Sequence, residues 1–121
     1  MARRMKAYAA DTGRVYEYYF VEKRQALASL GAAVEYVYEV SIDRHSVFAV
    51  SIYVLDEAVA DWAARHGRAL DDNERYAAAR LALQRAFDEI AFDEIEALHH
   101  SGRQLEVGPE KLEELLAPLD L

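Results

Sequence analysis

At Asp56 the hydrophobic pattern of this chain changes period, and few architectures accommodate such a switch. Upstream, Val34 to Ile42 (VEYVYEVSI) alternates Val34, Tyr36, Tyr38, Val40 and Ile42 with Glu35, Val37, Glu39 and Ser41. The run SVFAVSIYVL, residues 46–55, repeats the alternation with Phe48, Val50, Ile52 and Val54. A period of two marks a strand with one apolar face, and two such runs joined by a short loop make a hairpin. Only an odd loop length puts both apolar sets on the same side, so the turn is expected at Asp43–His45 or Arg44–Ser46.

The strand character extends towards the N-terminus. Arg14 to Glu22 (RVYEYYFVE) is dense in aromatic and β-branched residues and follows the turn-like Asp11-Thr12-Gly13. Lys6 to Ala9 is expected to pair back on it as a short edge strand. Between these strands and the hairpin, KRQALASLGAA (residues 23–33) has helix-forming composition, is too short to decide between helix and loop, and carries Gly31 as a stop.

From Asp56 onward the period is 3.6. Asp56 is placed to cap a helix with Val59, Trp62 and Ala63 on one face and His66-Gly67 at its end. Asp71-Asp72-Asn73-Glu74 is a capping-box pattern opening a helix with no breaker before about His100, roughly 43 Å long at 1.5 Å per residue. Ser101-Gly102 stops it. Gly108-Pro109 then opens a short helix with Leu112, Leu115, Leu116 and Leu119 on one stripe. Strands first and helices afterwards predict a single α+β domain over 1–121. Its sheet, about 5–55, is an antiparallel meander of three or four strands, packed against two or three helices over about 56–118.

Composition sets outer bounds. With 53% hydrophobic and 30% charged residues, the 121-residue chain is globular in character and long enough for one core. It has no cysteine, which excludes disulfides and thiolate metal sites. No signal-peptide pattern and no apolar run near 20 residues is visible, so a soluble protein of the cytoplasm, with no membrane contact, is expected. Eleven arginines against three lysines, with abundant alanine, point to a GC-rich bacterial source. The net charge of −8 is lopsided: residues 51–121 carry sixteen acids against seven bases. That balance argues against a duplex-DNA binder, which needs a basic face.

The most conspicuous motif is AFDEIAFDEI, Ala86 to Ile95. Five residues rotate a helix by about 140° beyond one turn, so the two copies face different ways. Phe87 aligns with Tyr76, Leu83, Ile90 and Leu98, whereas Phe92 and Ile95 align with Leu81 and Ala77. A helix apolar on two sides fits between its own sheet and a second body, and Leu81, Phe92, Ile95, Leu112 and Leu116 are the candidate dimer interface. Glu94 falls on the first stripe. A carboxylate there needs a partner or a pocket, which makes Glu94 the one catalytic candidate, with Arg80 near the same stripe.

Glu96 and His99 have the Glu-x-x-His spacing of carboxylate-bridged metal bundles, and Asp93 and His100 lie beside them. The motif occurs once where such centres need it twice, and histidines at a helix C-terminus are favoured by the dipole, so no metal or other cofactor is expected. Seven of the eight tyrosines precede residue 54. If Tyr16, Tyr18, Tyr36 and Tyr38 share an exposed sheet face, they form a stacking platform for single-stranded nucleic acid; beneath a helix they are core. There is no Gly-x-Ser-x-Gly elbow and no glycine-rich phosphate loop. The reading that results is a non-enzymatic protein-interaction module acting as a homodimer or with a protein partner. The alternatives are a single-strand binder and a small-ligand pocket at Glu94.

Overall fold

The computed structural model describes residues 5–11, 13–42, 46–89 and 105–119. Five strands make one sheet in the order β1-β2-β3-β4-β5: β1 Lys6–Ala9, β2 Val15–Ala28, β3 Gly31–Ile42, β4 Ser46–Leu55 and β5 Leu105–Val107. Among the described residues three helices accompany it, α1 Asp56–His66, α2 Asp72–Glu89 and α3 Pro109–Leu116, the last running into a 3-10 turn at Ala117–Leu119. The chain is therefore α+β.

The β3–β4 hairpin has the register its alternation demands. Ile42 pairs with Ser46, Val40 with Phe48, Tyr38 with Val50, Tyr36 with Ile52 and Val34 with Val54, which is the register of the Asp43–His45 turn. The turn itself lies outside the described residues. β1 pairs with β2 as an edge strand, Tyr8 opposite Tyr16.

Two features of the sheet depart from the sequence expectation. First, residues 23–28 are strand and not helix: β2 continues to Ala28, and Ala28 pairs with Gly31 across a two-residue turn at Ser29-Leu30. Gly31 ends no helix; it leaves the turn at φ +139°, a conformation that side-chain-bearing residues rarely adopt. An isolated helix of this length is marginal, while the ladder to β3 supplies a backbone partner at every position, so tertiary pairing overrides local propensity. A bulge between Phe20 and Glu22 shifts the alternation by one, so Lys23 and Gln25 share the face of Tyr36 and Val34. Second, β5 is a fifth strand parallel to β4, Val54 opposite Val107, so the sheet is mixed and not purely antiparallel. Three residues are too few to show a period, and a parallel partner needs the crossover that α1 and α2 supply.

The sequence signals at the end of α1 and the start of α2 are in place, and the one at the start of α1 is not. Gly67 closes α1 at φ 72°, donating its N–H to the Ala63 carbonyl at 2.9 Å. Asp56 is the first helical residue, one position inside the cap, which is Leu55 without a side-chain bond. The capping box before α2 is reciprocal: Asp71 N–H donates to Glu74 at 3.0 Å and Glu74 N–H to Asp71 at 2.8 Å. The predicted continuation of this helix to about His100 lies outside the described residues.

Packing explains why α2 is rich in alanine. It buries Ala78, Ala79, Ala82, Leu83, Ala86 and Phe87. Small residues on the helix leave room for large rings on the sheet, where Tyr16, Tyr18, Tyr36 and Tyr38 are all buried. Phe87 stacks on Tyr16 with centroids 4.2 Å apart. Tyr76 meets Phe20 edge-on at 5.2 Å. The polar tips are handled individually: Gln84 donates to the Tyr18 hydroxyl at 2.8 Å. The Tyr8 hydroxyl donates to Asp88 at 2.6 Å, and that bond, with partial burial, pushes its pKa up to about 12.

Candidate functional site

Alternation gives each strand a second face, and in this sheet that face carries Ala7, Ala9, Val15, Glu17, Tyr19, Val37, Glu39, Val47 and Ala49. Val47 is 59% exposed and Val15 48%, and Ala7, Ala9 and Ala49 are exposed as well. The acids here already have partners. Tyr19 O–H donates to Glu39. Glu35, only 7% exposed, accepts from Arg24 Nε at 2.8 Å, Ser51 Oγ at 2.6 Å and the Tyr53 hydroxyl at 3.2 Å. Arg24, Glu35 and Tyr53 stand opposite one another on β2, β3 and β4, so the register itself assembles the cluster. The guanidinium of Arg24 holds the Glu35 carboxyl below its ordinary range despite the burial that opposes ionisation.

On the helix side, the same three strands open into a cleft against α1 and the first turn of α2. Two adjoining cavities of about 530 and 330 Å³ share Val34, Tyr36, Asp56 and Arg75 as walls. Lys23 and Gln25 line the outer cavity; Val54, Val59 and Ala63 line the inner one. Lys23 Nζ lies 3.8 Å from Asp72, and Arg75 bonds to the same carboxylate. Asp72 is 70% exposed. Its carboxyl is held below the usual range, mainly by the Arg75 hydrogen bond. Tyr36 is 1% exposed and is a wall of both cavities. Burial pushes its pKa up, against the pull of nearby Arg75.

The residues singled out in the sequence are distributed unevenly. Tyr16, Tyr18, Tyr36 and Tyr38 form one ladder, but it is core beneath α2 and not an open platform. Leu112 and Leu116 are buried within the chain, where α3 packs on α1, so their surface is already spent and they are not free to meet a second copy. Leu81 is half-buried on the wall of a shallow cavity of about 390 Å³ with Tyr8, Arg85, Asp88 and Glu114. Arg80 is half-buried, its Nε without a hydrogen-bond partner among the described residues. Phe92, Asp93, Glu94, Ile95, Glu96, His99 and His100 lie outside the described residues. Among those described, no cluster of three histidine, aspartate or glutamate side chains could hold a metal, and no helix is long and apolar enough to cross a membrane.

Sequence reasoning passed over Glu35 and Arg75, and placed Lys23 only near a strand end beside the tyrosines. Glu35 occupies an ordinary polar slot in the alternation, and its partner Arg24 sits in the segment read as helix-forming. Arg75 did leave a signal: a cation in the first turn of a helix opposes the helix dipole and needs a reason to be there. Compared with protein-family models, curated proteins and solved structures, the chain matches none of them.

Proposed function

We propose that this chain is a non-enzymatic protein-contact module of the bacterial cytoplasm that acts as a homodimer through the outer face of its sheet. The observation that carries this reading is the exposure of Val15 and Val47, with Ala7, Ala9 and Ala49, on a face where no described helix covers them. Exposed apolar residues gathered on one face mark interaction surfaces. Ala7, Ala9 and Ala49 allow a second sheet to approach closely. Because Glu39 is bonded to Tyr19, and Glu35 to Arg24, Ser51 and Tyr53, covering the face strands neither carboxylate.

Two sheets stacked in this way put helices outside and strands inside, with the same patch on both copies, as two-fold symmetry requires. A stable pair needs about 800 Å² from each copy. Glu17 and Glu39 of the two copies repel, so added salt tightens the association. The test is sedimentation equilibrium on the wild type and Val47→Lys. The wild type is expected to be dimeric at micromolar concentration and the variant monomeric with unchanged circular dichroism. A wild type that stays monomeric, or a Val47→Lys protein that stays dimeric, removes the reading.

A further inference from the structure

The cleft behind the sheet is independent of the outer face, and its walls divide by chemistry. Its inner end is apolar, formed by Val34, Val54, Val59 and Ala63. Its outer end gathers the ammonium of Lys23 and the guanidinium of Arg75. Tyr36, 1% exposed, is a wall of both cavities and so joins the two ends. A tyrosine hydroxyl on the wall of a cleft is a hydrogen-bond donor that a bound anion can use. The volume, about 530 Å³ for the outer cavity alone, is within the range of small-molecule sites.

We propose that this cleft binds a small organic acid, its apolar body against the inner wall and its carboxylate held by Arg75, Lys23 and the Tyr36 O–H. Asp72 now occupies both cations, but it is 70% exposed, and an exposed ion pair of this kind is worth little, so a carboxylate that brings its own apolar contacts competes with it. Asp56 at the inner boundary faces the same space and repels a second negative charge. The selected ligand therefore has one acidic group and an uncharged tail. The cation in the first helical turn is accounted for as well: Arg75 is placed by α2 to meet an anion where the dipole also favours one.

The probe is octanoate, with octanol and octylamine as charge controls of equal chain length, followed by calorimetric titration and by NMR shifts mapped on the chain. Octanoate is expected to bind saturably and to shift Tyr36, Val59 and Arg75. Octanol is expected to bind more weakly and octylamine not at all. Tyr36→Phe keeps the ring in the core and removes only the hydroxyl, and a roughly tenfold loss of octanoate affinity is expected, the scale of one hydrogen bond to a charged group. Asp72→Asn removes an exposed competitor and is expected to tighten octanoate several-fold, which a merely structural role for Asp72 would not produce. Equal binding of octanoate and octanol, shifts that map elsewhere, unchanged affinity in Tyr36→Phe, or no binding at millimolar octanoate would each overturn the assignment. None of these outcomes bears on dimerisation, which is read separately by sedimentation.

Discussion

Replacing Phe87 by alanine removes the ring that joins α2 to the tyrosine face of the sheet. Phe87 is fully buried. It stacks on Tyr16 at 4.2 Å and lies 5.9 and 6.1 Å from Tyr18 and Tyr8. A buried phenylalanine reduced to alanine loses about 3–5 kcal/mol, from lost transfer energy and from the cavity left behind. The neighbours are rings fixed on strands and cannot collapse into the gap, which places this site at about 4 kcal/mol. Stability for 121 residues is roughly 6–18 kcal/mol, so the variant should still fold.

Phe87→Leu is the control. It keeps most of the volume and loses chiefly the ring contacts, for about 1–1.5 kcal/mol. Urea denaturation followed by circular dichroism reads both losses, and the melting temperature of Phe87→Ala should fall by about 12–20 °C. Acetylation of tyrosines provides a second reading: Tyr16, Tyr18 and Tyr38 should be protected in the wild type and reactive in Phe87→Ala. A loss under about 1 kcal/mol, or wild-type tyrosines that react freely, would mean that α2 does not seat on the ladder. The stacking-platform reading of the tyrosines would then regain its footing.

Two further outcomes follow from the carboxylates. Arg68, bonded to Glu74 at 2.9 and 2.8 Å, and the Asp71 N–H hold the Glu74 pKa down at about 2. A lowered folded pKa contributes stability above the unfolded value near 4.5 that is lost as pH falls towards 2, so Glu74→Gln should flatten the melting temperature across that window; an unchanged slope refutes this. Glu35→Ala leaves Ser51 and Tyr53 without their acceptor and should cost about 2–3 kcal/mol, below the figure for a fully buried pair because Arg24 is more than half exposed, whereas Glu35→Gln, which keeps an acceptor, should cost about 1 kcal/mol. Equal losses in urea titrations of the two variants would show that the cluster does not depend on an acceptor at that position.

The residues explain which features were legible in the chain and which were not. The β3–β4 hairpin, the Gly67 end of α1 and the capping box of α2 rest on neighbours a few positions apart, and such interactions act the same way in any fold that contains the segment. The aromatic stripe of Leu83 and Phe87 is equally local, being a rotation of 100° per residue. The candidate site was not legible in the same way. Glu35 became a site residue only when β2 ran on past its bulge and brought Arg24 opposite it, and Lys23 and Gln25 reached the cleft only because that bulge shifted the alternation by one.

Amino-acid order alone therefore determined that strands precede helices, that Tyr36 and Tyr38 share a face with Val50 and Ile52, and where α2 begins, because hydrophobic period and capping are short-range physics. Only the tertiary structure decided that residues 23–28 are strand, that β5 joins parallel to β4, and that the tyrosines are core while Val15 and Val47 on the opposite face are exposed. Each of those outcomes depends on which distant segment supplies the backbone partner or the cover, and no short window of sequence contains that segment.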